Sequence, residues 1–203
     1  MTFARAGITL SRAMKELDFP TVIQGPRILM RKLAQRERSE GNPEIGPLLD
    51  RNPDISDLFY SLLDRPISDD AMYGIYIEKL CGILYAFYDF GNRITIEFGV
   101  DRLCRGAGIA GEARRVLEDR LFADTAATLT KTLVSKENPA SIRANEKGGY
   151  RVSDGGWCKQ FSLSREDWLG RAGGSSSIRP MPGREGFIPG RERLASEERQ
   201  IGS

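Results

Sequence analysis

The sequence predicts an α/β protein in which helices flank a mixed central sheet. An aromatic-rich run from Gly82 to Phe90 and an alternating run from Ile94 to Phe98 are separated by the turn signal Gly91-Asn92, which is typical of a β-hairpin. A long amphipathic pattern begins at Gly111 and indicates a helix. A glycine-rich segment joins the hairpin to this helix.

Composition divides the chain into three parts. Residues 1–24 are expected to be an N-terminal extension, and residues 25–171 carry the strand and helix patterns of one domain. Residues 172–203 are rich in Gly, Ser, Pro and Arg, so we expect them to be a disordered tail.

In the first half of the domain the sequence predicts a strand followed by helices. The strand spans Arg27 to Leu33, and residues 34–51 form loop with one short helix. Apolar spacing predicts a helix from Asp54 to Leu63, with Asp54 as its N-cap. Ser68 is expected to cap a second helix, which runs to about Leu80.

The second half continues with alternating helices and strands. The long helix from Gly111 extends either to about Leu133 or only as far as a strand at Leu129 to Val134. A short helix follows at Asn138 to Glu146. The last elements are two strands and a capped turn: Tyr150 to Val152, Trp157 to Leu163, and Arg165 to Leu169 behind Ser164.

The charge and residue content exclude several classes of protein. The net charge of +2 over 203 residues gives no reason to expect a nucleic acid or an anionic membrane as partner. No apolar run reaches the about 18 residues of a membrane helix, and no signal-peptide pattern opens the chain, so the cytoplasm is expected. The three cysteines have no C-x-x-C spacing, which indicates neither a disulfide framework nor a zinc site.

The chain has no histidine. This excludes a Ser-His-Asp triad, a Cys-His dyad and any histidine-bound metal, and no metal site is expected. Acid–base chemistry would have to use carboxylates, hydroxyls, thiols, amines or water.

The segment from Arg105 to Gly111 has the character of a phosphate-binding loop. Small residues let the backbone approach an anion, and the following helix directs its positive end toward it. Gly106-x-Gly108-x-x-Gly111 also resembles a Rossmann fingerprint. That alternative is disfavoured, because seven residues separate the strand from Gly106 and no acidic residue follows at about 20 residues. A glycine-rich loop without a ligand is the remaining alternative.

The same segment belongs to a longer resemblance. Arg105-x-x-Gly108-x-Ala110 resembles the Arg/Gln-x-x-Gly-x-Gly/Ala signature of the GNAT superfamily of N-acetyltransferases. About 30 residues later, Asn138-x-x-Ser141-Ile-Arg and Glu-Lys-x-Gly-Tyr150 resemble the next family segment, with Tyr150 in place of Phe. Residues 24–33 and 161–168 resemble the family's first and closing strands. The likeness covers roughly residues 24–170 and favours the branch that acetylates ribosomal-protein N-termini and small amines.

The resemblance implies a GNAT fold, here with a shortened set of strands, and acetyl-CoA as co-substrate. By that resemblance, Asn138 contacts the pantetheine arm and Ser141 lies near the thiol, while the Ile94 strand lends amides to the arm and the thioester oxygen. The coenzyme A pyrophosphate is implied to bind the backbone of the loop, with added charge from the arginine: Arg105, Gly106, Ala107, Gly108, Ala110 and Gly111.

Two side chains are candidates for the chemistry. A reacting amine must lose a proton, and Glu97, on the opposite strand face from Ile96 and Phe98, is the candidate base. Ser141 is the candidate acid for the departing thiolate, with a hydrogen bond to its own backbone as the alternative. Relatives often carry a tyrosine acid where this chain has Asn145, and Cys158 is read as a small buried residue.

These patterns lead to one expected function and one alternative. The expected function is acetyl transfer from acetyl-CoA to a primary amine of a protein N-terminus or a small molecule, by a monomer or homodimer. The alternative is a non-catalytic binding or regulatory protein on a degenerate GNAT scaffold.

Overall fold

The structure of the chain is a computed structural model that describes residues 19–39, 41–63, 70–89 and 91–172. The chain divides into two units, Met1–Gly170 and Arg171–Ser203. The first unit contains the sheet and the helices described below, apart from the last two residues of α5. Ala172, the first residue of the predicted disordered tail, is the last residue of α5, and the rest of that tail and residues 1–18 of the predicted N-terminal extension lie outside the described residues.

Eight strands of the described chain form one sheet in the order β1-β2-β3-β4-β5-β6-β8-β7. Every neighbouring pair is antiparallel except β5 and β6, which are parallel, so the sheet is mixed as predicted. A largely antiparallel sheet excludes the Rossmann alternative, whose strands are parallel. The strands are β1 Val22–Gln24, β2 Leu29–Lys32, β3 Asp70–Tyr76, β4 Leu80–Tyr88, β5 Arg93–Val100, β6 Leu129–Ser135, β7 Arg151–Asp154 and β8 Cys158–Ser164.

Five α-helices accompany these strands in the described residues, and the sheet has a separate apolar core on each face. One core packs strand residues such as Tyr73 and Ile96 against Leu117 and Phe122 of α3. The other packs residues such as Met72 against α1 and α2. The helices are α1 Ile45–Arg51, α2 Pro53–Leu63, α3 Ile109–Asp124, α4 Pro139–Lys147 and α5 Arg165–Ala172.

The helix predicted from Ser68 to about Leu80 is wrong. Ser68 lies outside the described residues, and Asp70–Tyr76 is strand β3, which pairs with β2 and β4. Six of its seven residues are buried, because one core covers Tyr73 and the other covers Met72. A strand buried on both faces lacks the alternation by which an exposed strand is recognised.

The strand set is therefore fuller than the sequence indicated. Strand β3 was not predicted as a strand. Strand β1, Val22–Gln24, lies at the end of the predicted N-terminal extension and was not predicted either. The hairpin of Gly82 to Phe98 is confirmed, with Tyr88 opposite Ile94.

Other boundaries follow the sequence closely. The long helix ends at Asp124, so the Leu129 strand, given as an alternative, is correct. Ser164 caps α5 as predicted, since its hydroxyl accepts a hydrogen bond from the Asp167 amide at 3.1 Å. Asp54 is not the N-cap of α2, because that helix already begins at Pro53. None of the helices in the described residues is both long enough and apolar enough to span a membrane.

Candidate active site

Strands β5 and β6 separate partway along their length. They are paired only through three residues of each strand, from Arg93 opposite Leu129 to Thr95 opposite Lys131. Strand β5 continues to Val100 and β6 to Ser135 without further pairing between them. The sheet therefore opens between its two parallel strands.

Backbone amides of β5 face this opening. At the start of β5 the Asn92 carbonyl accepts from the Thr128 amide, just before β6, and so points toward β6. The next carbonyl, that of Arg93, accepts from the Asp89 amide, just after β4, and so points toward β4. Because successive residues of a strand direct their polar groups to opposite sides, the Phe98 N–H is directed toward β6. Phe98 lies beyond the last paired residue of β5, so its N–H can donate to a ligand in the opening.

A groove of about 210 Å³ occupies the opening. It collects the three side chains that the sequence made candidates for chemistry or for the pantetheine arm: Glu97, Asn138 and Ser141. Glu97 stands opposite the buried Tyr85 of β4. The groove is completed by Leu58, Phe98, Thr132, Leu133, Val134 and Ser135.

The predicted phosphate-binding loop leads directly into α3. Gly106 and Gly108 have φ values of +82° and +79°, in the left-handed region that favours glycine, and Gly108 is the N-cap of α3. A Cβ placed on Gly106 or Gly111 would meet no atom within 4 Å. The loop is therefore exposed, and an anion can approach its backbone and the helix start.

Arg105 is engaged with protein groups. Its guanidinium contacts the Asp54 carboxylate at 2.7 Å, and its Nε donates to the Val100 carbonyl at 2.9 Å. Arg105 thus ties the loop to the end of β5 and to α2. Arg105, the cation that the sequence made a candidate for binding the phosphate, forms an ion pair with Asp54, and both side chains stay partly exposed.

Asn138 and Ser141 meet at the start of α4. The Asn138 side chain is the helix N-cap and accepts from the Ser141 amide at 3.0 Å. The Ser141 hydroxyl accepts from the Asn145 side-chain amide at 3.5 Å. That arrangement leaves the proton of the hydroxyl available for donation.

A buried polar network links α3, α4 and β6 beside the groove. The Arg114 guanidinium donates to the Glu118 carboxylate at 2.9 Å and to the side-chain amide oxygen of Asn145, and it lies 3.6 Å from the centre of the Tyr150 ring. Glu118 also accepts from Thr130 and Tyr150, each at 2.7 Å. Asn145, the position of the family's tyrosine acid, is therefore a structural member of this network.

A second cavity, of about 380 Å³, lies between α1 and α2. No residue of the loop or of the separated strands lines it, so it is not assigned to the same site. Its lining consists of Gly46, Leu49, Asp50, Pro53, Ser56 and Tyr60.

Several residues that contribute to the site were not predicted from the sequence. The pair Arg114 and Glu118 had a detectable signal, since residues four apart in a helix lie on one face. Arg27 contacts the loop from 80 residues away, and no local pattern indicates this. Cys158 is buried, as predicted.

Comparison with protein-family models gives no match, and comparison with curated protein sequences gives none either.

Solved structures do resemble the chain. The chain is similar to RimL, a ribosomal L7/L12 α-N-protein acetyltransferase solved with coenzyme A, with a TM-score of 0.59 and 11% identity over 72% of this chain and 99% of that one. It is similar to a spermidine N-acetyltransferase chimera of Vibrio cholerae SpeG and hSSAT, with a TM-score of 0.54 and 15% identity over 71% and 99%. It is also similar to a GNAT-family acetyltransferase of Bacillus anthracis, with a TM-score of 0.52 and 17% identity over 71% and 99%. At these identities the likeness concerns architecture, and the chain has the fold of the GNAT acetyltransferases.

Proposed function

We propose that this chain is an acetyl-CoA-dependent N-acetyltransferase that acetylates a primary amine of a protein N-terminus or a small molecule. The observation that carries the proposal is the separation of β5 from β6 beside an exposed glycine loop at the start of α3. This combination provides a slot for a long, narrow ligand and an anion site near it.

The residues fit coenzyme A. Open space outside Gly106 and Gly111 leaves room for a pyrophosphate on the loop, where Ala107, Gly108 and Ala110 complete the backbone surface. The groove between the strands suits the pantetheine arm, which Asn138 would contact at the start of α4. Bound acetyl-CoA supplies the acetyl group as an activated thioester.

Glu97 and Ser141 line the same groove and divide the proton transfers. Glu97 takes a proton from the incoming ammonium, because only the neutral amine has a lone pair with which to attack the thioester. The Phe98 N–H, directed into the opening, stabilises negative charge that develops on the acyl oxygen. Ser141, whose oxygen accepts from the Asn145 side-chain amide, donates its hydroxyl proton to the departing thiolate and regains a proton from solvent.

The acceptor class rests on two kinds of support. The chemistry of a carboxylate base favours an amine, and two similar structures are named for acetylating amines, spermidine in one and a ribosomal protein in the other. Both a small polyamine and a protein N-terminus therefore belong in the first set of acceptors to test.

Thermal unfolding with acetyl-CoA tests the cofactor half of this proposal. A ligand that binds only the folded state at 100 times its Kd adds about 2.7 kcal/mol to the free energy of unfolding. We expect acetyl-CoA to raise Tm, and acetate at the same concentration to leave it unchanged. An unchanged Tm at millimolar acetyl-CoA would contradict the proposal.

Release of free thiol tests the transfer half. We expect turnover with at least one acceptor among amino acids, polyamines, aminoglycosides and N-terminal peptides, identified by mass spectrometry of the acetylated product. Strong binding of acetyl-CoA without turnover on any of them would favour the non-catalytic alternative.

A further inference from the structure

Arg27 connects the turn between β1 and β2 to the glycine loop. Its backbone N–H and its Nε donate to the two carboxylate oxygens of Glu112, at 2.8 and 2.7 Å. Its Nη1 donates to the carbonyl of Ala107 at 2.9 Å. One side chain therefore contacts both the loop and the first turns of α3.

The guanidinium also lies alongside the exposed part of the loop. A Cβ placed on Gly108 would be 3.4 Å from Nη2 of Arg27. The side chain of Arg27 is 55% exposed, whereas that of Glu112 is only 5% exposed. The cation thus reaches the surface where an anion would bind, and the carboxylate stays beneath it.

Glu112 presents an electrostatic problem at this place. It lies in the first turn of α3, where its negative charge opposes that of an anion arriving at the same helix start. Arg105 does not neutralise it, because Arg105 is paired with Asp54. Arg27 alone among the described arginines and lysines forms an ion pair with Glu112.

We propose that Arg27 is a positioning residue for the coenzyme A pyrophosphate. Its hydrogen bond to the Ala107 carbonyl holds the loop in place, and its positive charge compensates the negative charge of Glu112. This inference rests on the proposed function and concerns a residue that the sequence had not assigned to the site.

Four variants measured by calorimetric binding of coenzyme A test the proposal. Arg27→Ala should raise Kd at least tenfold, and Arg27→Lys less, because lysine keeps the charge but loses the planar fork. Glu112→Gln should leave Kd unchanged or lower it, since Arg27 then faces the phosphates uncompensated. The double variant Arg27→Ala/Glu112→Gln should bind better than Arg27→Ala alone.

A substrate without phosphate distinguishes a role of Arg27 in positioning the pyrophosphate from a general loss of structure in Arg27→Ala. With S-acetylpantetheine, which has no pyrophosphate, Arg27→Ala should keep kcat/KM within about twofold of the wild type. The matched control is Arg120→Ala, which removes an exposed ion pair with Asp124 from the same helix and should leave Kd for coenzyme A unchanged.

The outcomes are distinct. Failure of the wild type to bind coenzyme A would overturn the proposed function and this inference with it. If the wild type binds coenzyme A, two results for Arg27→Ala would overturn the inference alone. One is an unchanged Kd for coenzyme A, and the other is a loss of kcat/KM with S-acetylpantetheine as large as the loss of affinity for coenzyme A. A Glu112→Gln variant as weak as Arg27→Ala would refute the charge compensation.

Discussion

At the scale of single residues, the glycine loop is defined by backbone geometry that another turn of the chain reproduces. Gly106 and Gly156 have φ values of +82° and +80°, and a Cβ on either would meet no atom within 4 Å. Gly156 lies in the turn between β7 and β8, outside the candidate site. The two positions therefore form a matched pair for mutation.

We expect Gly106→Ala and Gly156→Ala to lose similar stability, about 1–2 kcal/mol each, because both place a Cβ in the left-handed region. Only Gly106→Ala should raise the Kd for coenzyme A, since its methyl group would occupy the space next to the loop. Urea unfolding and calorimetry measure the two quantities separately. Equal affinities in the two variants would show that the loop does not hold the pyrophosphate.

Glu97 is the residue whose chemical role is most specific. Replacing the carboxylate in Glu97→Gln should lower kcat by about 10²–10⁴-fold, the usual contribution of a general base, and leave the Kd for acetyl-CoA unchanged. The pH–rate profile should also lose the limb that reports ionisation of this base. Glu137→Gln, at an exposed position before α4, is the control. Activity near that of the wild type in Glu97→Gln would remove Glu97 from the mechanism.

At the scale of elements, the start of α4 combines a structural and a proposed binding role in one side chain. Asn138→Ala removes the N-cap and should cost about 1 kcal/mol of stability. Asn138→Asp keeps an oxygen that caps the helix but loses the side-chain amide donor. We expect both variants to bind coenzyme A more weakly, while only the alanine variant has a lowered Tm. Normal binding by Asn138→Asp would limit Asn138 to capping.

The elements also show what a single sequence can and cannot predict. The hairpin and α5 carry local signals, in a turn dipeptide and a helix cap, and were predicted, like α4, nearly to their ends. Strand β3 was missed because both of its faces are buried, which removes the alternating pattern. The contact between Arg27 and Glu112 joins residues 85 apart in the chain, so only the tertiary fold reveals it.

In the candidate site, too, some features have a signal in the sequence and others depend on the tertiary fold. Glu97, Asn138 and Ser141 line one groove, whereas their roles in binding and chemistry stay predictions. The sequence named Arg105 but could not reveal its pairing with Asp54, since that depends on how α2 packs against the end of β5.

At the scale of the whole molecule, Asp101 links acid stability to the fold. Burial by itself raises the pKa of the Asp101 carboxyl, but hydrogen bonds from the Arg51 guanidinium and the Leu103 amide outweigh it and hold the pKa below its usual value. A carboxyl with a lowered folded pKa stabilises the protein above the unfolded pKa of about 3.9. That contribution is lost as the pH falls from there through the folded pKa.

Asp101→Asn should therefore lower the free energy of unfolding at pH 7 by about 1–3 kcal/mol, the usual cost of losing a buried hydrogen-bond partner. It should also flatten the fall in stability below about pH 4. Urea unfolding at pH 7, 5 and 3 measures both effects. Asp124→Asn, which alters an exposed ion pair, is the control and should change stability by less than about 1 kcal/mol. A parallel pH dependence in wild type and Asp101→Asn would contradict this account.

The buried guanidinium of Arg114 has a consequence for the entropic cost of binding a ligand. It is anchored in α3, bonded to Asn145 in α4 and stacked on Tyr150, so the spacing of the two helices is set within the folded protein. A molecule that contacts the beginnings of both helices then requires little rearrangement of the backbone. A receptor ordered in this way before binding incurs a smaller entropic cost on association.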